Sequence, residues 1–375
     1  MNPELSSFAA RLRELIARRQ SAIGNQKFSE IALELFALQF KNNSAYRKIC
    51  ESRRQTPEVV EHWTQIPAVP TAAFKGLELT SLAPDERTAV FHSSGTTEQK
   101  PSRHFHNAES LAVYEVSLWS AFERHVFRSA DASSASCGEG TRGRAVRAPL
   151  MLTPPPALVP HSSLVHMFEV VQQKLGATES AFVGELASDG AWTLDFEATL
   201  AALGHHPQLI LGTAFSFVHL LDYLTEKNLQ FELPEDSRVM ETGGYKNRSR
   251  TMPKAELHAL ITKHLGVTRE NIICEYGMSE LSSQAYDSQI HPSSSVLHPR
   301  AFRFPPWTRV QIISPETGRE VYDGETGLIR VFDLANVFSV AAIQTEDLAI
   351  RRGDDFEMIG RAQLAEPRGC SLMTI

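Results

Sequence analysis

Between residues 148 and 277, short apolar runs alternate with amphipathic segments, and this alternation restricts the chain more than any other feature. The runs are 148–153 (APLMLT), 208–214 (QLILGTA), 238–244 (RVMETGG) and 271–277 (NIICEYG). Segments 162–175, 215–226 and 253–265 carry apolar residues at helical spacing. Apolar runs of strand length separated by helices describe parallel strands buried on both faces, because the crossover helices that connect such strands also cover them. The reading is an α/β fold with a parallel-rich sheet.

The flanks read differently. Residues 5–20 and 28–51 carry helical apolar stripes, with Ser29 a candidate cap. A Pro-rich stretch follows at 66–79 (IPAVPTAAFKGLEL), and residues 129–145 are small and polar, the composition of an exposed loop. From 308 to 334 the sequence reads as successive β-strands, with Gly318 and Gly324 in turns and Gly327 opening a strand. The expected division is an N-terminal helical region at 1–85 packing on the core, an α/β core at 86–300, a small β subdomain leading to a hinge at 301–361, and a tail at 362–375.

Composition removes several function classes. Of 375 residues 42% are hydrophobic, enough for a sizeable core, and the formal charge of −7 argues against a general nucleic-acid binder. The four cysteines, Cys50, Cys137, Cys274 and Cys370, are widely spread and form no CxxC pair, which argues against a disulfide framework or a structural zinc site. The N-terminus lacks the apolar core of a signal peptide, and no apolar run approaches the roughly 18 residues of a membrane span. The expectation is a cytoplasmic protein.

Three motifs carry chemistry. The first, residues 92–102 (HSSGTTEQKPS), sets four hydroxyls around Gly95 directly after an apolar run, with Lys100 nearby. Glycine lets backbone approach an anion, and successive N–H groups and hydroxyls can cradle phosphate; an ordinary polar turn has the same composition. The second, Glu275-Tyr276-Gly277-Met278-Ser279-Glu280, places a ring, a glycine, a hydroxyl and a carboxylate at a strand end, where open α/β sheets bind ligands. The ring can stack on a purine and the carboxylate can hold Mg²⁺; a turn with a buried tyrosine is the plainer alternative. The third, Thr345-Glu346-Asp347, precedes Gly360-Arg361. An aspartate there can accept from ribose hydroxyls and an arginine can pair with phosphate, although a solvated acidic turn looks the same.

In this order, SSGTTEQKPS, ETGG, EYGMSE, TED and GR resemble the adenylate-forming superfamily of acyl-CoA ligases, from about residue 90 to 361. Within it the chain is similar to the LuxE-type acyl-protein synthetases, a resemblance that also includes IPAVPTAAFKGLEL, HSSLVHMFE (161–169), ETGGYKNR (241–248) and RGCSL (368–372). The resemblance implies the large domain of an adenylate-forming enzyme with a missing or very short C-terminal lobe. It also implies ATP and Mg²⁺ as cofactors, a small carboxylic acid substrate, and an acyl reductase, carrier protein or CoA as partner. Ser93, Ser94, Gly95, Thr96 and Thr97 would hold pyrophosphate, with Lys100 close by. Gly243, Gly244 and Tyr245 would line adenine, Tyr276 and Gly277 would meet it, Ser279 would contact phosphate and Glu280 would hold Mg²⁺. Asp347 would bind ribose, and Arg361 would reach ribose or phosphate from the hinge.

Two departures stand out. Only fourteen residues follow Arg361, so the catalytic lysine that typical acyl-CoA ligases carry beyond the hinge has no counterpart; Lys100 and Lys246 are the candidates on charge alone. TED also replaces the commoner TGD. The resemblance implies that Cys370, near the C-terminus, takes the acyl group as a thioester. Cys274, on a buried strand, reads as a small core hydrophobe. His161 and His166 flank a helix start and read as structural or pocket-facing, and His92 as a neighbour of the phosphate loop. The acid pocket is expected from 160–170, 212–220 and 276–286, where Phe215, Phe217 and Leu220 favour an apolar acid. The implied activity is ATP-dependent formation of an acyl adenylate and acyl transfer to a thiol. A ligase passing the acyl group to CoA or a carrier protein, and a non-catalytic nucleotide-binding scaffold for a reductase, are the alternatives.

Overall fold

A computed structural model of the chain describes residues 2–18, 22–93, 100–127, 149–176, 180–188, 190–205, 209–244, 249–289 and 300–362. Its helices are α1 (Pro3–Ala17), α2 (Asn25–Asn42), α3 (Ser44–Ser52), α4 (Ala73–Gly76), α5 (Ala108–Phe122), α6 (Ser163–Leu175), α7 (Phe196–Gly204), α8 (Ala214–Glu226) and α9 (Lys254–Leu265). The first strands are β1 (Val69–Pro70), β2 (Ala89–His92), β3 (Arg103–His106), β4 (Leu150–Met151), β5 (Ala181–Phe182), β6 (Gly184–Leu186), β7 (Trp192–Leu194) and β8 (Leu209–Thr213). They are followed by β9 (Arg238–Thr242), β10 (Ile272–Tyr276), β11 (Ala285–Gln289), β12 (Arg300–Arg303), β13 (Thr308–Ile313), β14 (Thr326–Asp333), β15 (Ala342–Arg352) and β16 (Asp355–Arg361).

One sheet of twelve strands runs β13-β14-β15-β16-β12-β11-β10-β9-β8-β4-β5, with β1 paired to β15. From β5 through β10 every pairing is parallel, as the alternation of apolar runs and helices predicts. Beyond β10 the pairing turns antiparallel through β11, β12, β16, β15, β14 and β13. Alternate residues of the parallel strands serve two cores. Leu209, Leu211, Met240 and Ile273 join the core shared with the N-terminal helices, α5 and α6. Ile210, Val239 and Ile272 join the core under α8 and α9.

Local chemistry sets the boundaries. Asn2 caps α1 by accepting from the Glu4 and Leu5 amides, and Leu5, Phe8, Leu12 and Ile16 are buried. Such side chains contribute about 1.5–3 kcal/mol each by leaving water. The expected helix at 28–51 is two helices: Asn43 leaves helical geometry to end α2, and its side chain accepts from the Tyr46 amide to start α3. Ser29 is not a cap; it lies buried within α2 and accepts the Trp63 N–H. Gly318 and Gly324 adopt left-handed φ of 68° and 86°, the turns their positions suggested. Gly327 lies within β14, where a Cβ would stand 2.6 Å from the Ile313 carbonyl oxygen. The Pro-rich stretch is anchored by β1, whose Val69 and Pro70 register with Ile343 and Gln344. Among the described residues no helix is long and apolar enough to cross a membrane.

Candidate active site

The C-terminal end of β10 lies near the middle of the sheet, where parallel pairing gives way to antiparallel. It delivers Tyr276, whose hydroxyl donates to Asp347 Oδ2 at 2.9 Å. The tyrosine ring is held edge-on by Phe302, Phe304 and Phe356, with centroids 6.1, 6.2 and 5.5 Å away. Asp347 stands on β15 opposite Arg361 on β16, with Arg361 Nε 3.7 Å from Oδ1. Burial raises the pKa of the Asp347 carboxyl, while the Tyr276 hydrogen bond and the Arg361 charge oppose that shift. The second and third motifs therefore meet.

The first motif is the connection of the antiparallel hairpin β2–β3. Ser93 N–H donates to the Ser102 carbonyl at 3.3 Å, and Ser102 N–H donates to Ser93 Oγ at 3.0 Å, closing the neck of the loop. Ser102 Oγ then donates to Glu280 Oε1 at 2.5 Å, while Ser279 Oγ donates to Oε2 at 3.0 Å. Asn336 Nδ2 holds the Glu280 carbonyl at 2.9 Å, and His104 Nδ1–H donates to the Ser279 carbonyl at 2.8 Å. Burial lowers the His104 pKa to about 4, so near neutral pH the ring is uncharged, in the tautomer that carries its proton on Nδ1. Lys100 is exposed. Ser94, Gly95, Thr96 and Thr97 lie outside the described residues, as do Tyr245, Lys246 and Cys370.

Beside β10, β9 ends at Thr242 and turns at Gly243, whose φ is +70°; Gly244 follows, exposed. The Thr242 hydroxyl donates to Glu275 Oε2. Glu275 is buried, and burial pushes its carboxyl up to about 7. Its other oxygen lies 2.3 Å from where a Cβ on Gly277 would sit, so any larger residue there requires the Glu275 carboxyl to shift.

The structure thus links Ser93 to Glu280 and Ser279 through Ser102, and Tyr276 to Asp347 and Arg361, the two sets joined along the chain by residues 276–280, with Gly243, Gly244 and Gly277 in the adjoining strand ends. Phe217 and Leu220 are fully buried in the α8–α9 core, whereas Phe215 lies near the rings of Trp192 and His219. His161 Nδ1 donates to the Val90 carbonyl at 3.1 Å, and His166 stands 3.4 Å from Glu115. His92 lies ring to ring with His161, centroids 4.6 Å apart. Sequence reasoning passed over Ser102, His104, Thr242 and Asn336. Ser102 ends the hydroxyl-rich motif itself, and Thr242 lies inside ETGG. His104 and Asn336 carry no local signal, because their partners are far away in sequence.

The chain matches the family described as "Acyl-protein synthetase, LuxE" over residues 8–109 and 175–374. A "Long-chain-fatty-acid--luciferin-component ligase" of Vibrio harveyi is 24% identical over 374 residues, covering 92% of this chain and 87% of the relative. The protein of the same description from Aliivibrio fischeri is 26% identical over 196 residues, 48% of this chain and 49% of its own. Among solved structures, an open conformation of 2-hydroxyisobutyryl-CoA ligase in complex with 2-HIB-AMP and CoA superposes with a TM-score of 0.62 at 13% identity. That match covers 92% of this chain and 77% of the other, and at this identity it speaks for the fold. The same ligase in its postadenylation state also gives 0.62 at 13% identity, over 92% and 70% of the two chains.

Proposed function

This chain belongs to the acyl-protein synthetase LuxE family, and from that membership we propose that it activates a long-chain fatty acid with ATP as its acyl adenylate and passes the acyl group to a thiol. In the first step a carboxylate oxygen attacks the α-phosphorus, a P–O bond forms, and pyrophosphate leaves. The carboxylate is already ionised near neutrality, so no general base is needed and catalysis rests on positioning and charge neutralisation. In the second step a thiolate attacks the acyl carbonyl, the C–S bond forms, and AMP departs with the bonding pair of the mixed anhydride.

The observation that carries the reading is the pair of hydrogen bonds Ser102–Glu280 and Tyr276–Asp347, which draws three separate motifs together at one sheet end. In this reading Ser93, Ser94, Gly95, Thr96 and Thr97 hold the pyrophosphate, with Lys100 nearby. Gly243, Gly244, Tyr245, Tyr276 and Gly277 surround adenine, Ser279 meets phosphate, Asp347 takes the ribose hydroxyls, and Arg361 reaches across from β16. Mg²⁺ suits this place. Glu280 is buried, and each of its oxygens faces a hydroxyl rather than a nitrogen or sulfur donor, an oxygen-only set of the kind a hard cation takes. When bound there by Glu280, Mg²⁺ would neutralise charge on the phosphates. Cys370 is the proposed acceptor, with an acyl reductase, carrier protein or CoA receiving the acyl group from it.

The test incubates the full chain with ATP, Mg²⁺ and a labelled long-chain fatty acid. The expected result is pyrophosphate release and a hydroxylamine-labile label on the protein, with Cys370→Ala keeping the release and losing the label. Stable labelling of that variant contradicts the role of Cys370. Stimulation by CoA that is indifferent to the substitution transfers the reading to a CoA ligase. Nucleotide binding without any pyrophosphate release leaves a scaffold.

A further inference from the structure

A second cluster of ligand-type side chains lies behind the strands that lead to the site, and the nucleotide chemistry does not use it. Glu241 on β9, His258 on α9 and Cys274 on β10 are 0%, 5% and 2% exposed. Glu241 Oε1 accepts from Cys274 Sγ at 2.7 Å and from Lys254 Nζ at 2.7 Å, and lies 3.4 Å from His258 Nε2. Cys274 Sγ is 3.7 Å from the same imidazole nitrogen, and the three ligand atoms all lie within 4.8 Å of one another. The second carboxylate oxygen, Glu241 Oε2, is buried without a hydrogen-bond partner. Cys274 lies in the core, as its strand suggested, and its thiol also faces this buried carboxylate.

One carboxylate oxygen, one imidazole nitrogen and one sulfur make a donor set suited to a borderline-soft divalent ion. Bonds of about 2.0–2.3 Å in a tetrahedron place ligand atoms roughly 3.3–3.6 Å apart. Two of the three separations, 3.4 and 3.7 Å, already stand near that range. The third is a thiol hydrogen bond, which lengthens once its proton is gone. Neighbouring charge also fits. Asp287 is engaged elsewhere, accepting the Cys274 N–H at 2.7 Å and pairing with Arg300 at 2.6 Å, so it does not compete as a ligand. Lys254 Nζ, 2.7 Å from Glu241 Oε1, holds the position a cation would take, and metal binding displaces this ammonium from the carboxylate; its side chain is 46% exposed.

We propose that Glu241, His258 and Cys274 bind a divalent transition metal ion of the zinc class, separate from any magnesium on the nucleotide. The ion exchanges for the Cys274 thiol proton, which passes to solvent; thiolate and carboxylate balance its two charges, neutral His258 supplies nitrogen, and water completes the tetrahedron. The ligands tie α9 to β9 and β10, the strands that continue into Gly243 and Tyr276. The absence of CxxC spacing is no obstacle, since only one ligand is a cysteine.

The test uses the full chain, stripped with chelator, reconstituted with Zn²⁺ or Co²⁺ and desalted. Elemental analysis should find about one equivalent of zinc per chain, and the cobalt form should show a thiolate-to-cobalt charge-transfer band. Cys370→Ala should retain both, whereas Cys274→Ser should lose the band and weaken zinc binding at least tenfold, as should His258→Ala. If these variants fail to fold, the wild-type chain decides: no stoichiometric metal or no charge-transfer band overturns the proposal. A band that survives Cys274→Ser and disappears in Cys370→Ala overturns it as well.

Discussion

The Tyr276 hydroxyl donates to Asp347 Oδ2 across 71 residues of sequence, joining the last strand of the parallel region to the long antiparallel strand β15. Tyr276→Phe keeps the ring among its phenylalanine neighbours and removes only this donor. A hydrogen bond to a charged acceptor is worth about 1.5 kcal/mol or more, roughly tenfold in an equilibrium constant. The expected outcome is a rise in KM for ATP of about that factor, read from the ATP dependence of pyrophosphate release. An unchanged KM would remove this bond from nucleotide binding.

Glu280 and Ser102 separate by magnitude. Glu280→Gln should reduce pyrophosphate release by about 100-fold or more, the scale of losing a preorganised charge at a phosphoryl site. Ser102→Ala, which removes one hydroxyl from that carboxylate and leaves Ser279, should cost about tenfold. Extra Mg²⁺ should restore the serine variant and not the glutamine variant. Steady-state rates across a magnesium titration check both.

Glu275 makes stability depend on pH. Its carboxyl moves from the ordinary 4.5 up to about 7 because it is buried. The folded chain therefore holds this proton more tightly than the unfolded chain. The stabilisation is fully present below about pH 4.5, declines as pH rises, and is lost above about 7, a change of roughly 3 kcal/mol. Glu275→Gln should remove this component, so the gap in unfolding free energy between wild type and variant should shift in the variant's favour from acid to neutral pH. Urea unfolding across that window checks the slope, and parallel curves would contradict the assignment.

Gly277→Ala tests crowding beside the same carboxylate. Its Cβ would stand 2.3 Å from Glu275 Oε1, inside contact distance. Relief needs only a shift of the carboxyl end, which strains its hydrogen bond from Thr242, so the expected cost is about 1 kcal/mol. A lowered denaturant midpoint with an unchanged slope is the expected result.

The sequence made the architecture legible where periodicity was strong. The apolar runs around Leu209–Thr213, Arg238–Thr242 and Ile272–Tyr276 are strands, and their intervening helices fall close to the expected bounds. It misplaced the helix boundary at Asn43 because a capping side chain ends one helix and starts the next within an unbroken apolar pattern. Tyr276, Glu280, Asp347 and Arg361 stood out by side-chain type within short motifs; in the structure Tyr276 and Arg361 end β10 and β16, whereas Asp347 lies within β15 and Glu280 in the turn after β10. The residues that hold them did not stand out. His104 reaches Ser279 across 175 positions and Asn336 reaches Glu280 across 56, and such contacts exist only once the sheet has formed. Cys274 was read by its apolar neighbours, whereas its thiol faces Glu241 on the adjacent strand.

The most direct measurement of the central claim is fatty-acid-dependent exchange of radiolabelled pyrophosphate into ATP, run on wild type, Glu280→Gln and Asp347→Ala. Exchange that requires both the acid and Mg²⁺ and collapses in both variants is the expected result. Exchange independent of added acid, or undiminished in both Glu280→Gln and Asp347→Ala, contradicts acyl-adenylate formation at this sheet end.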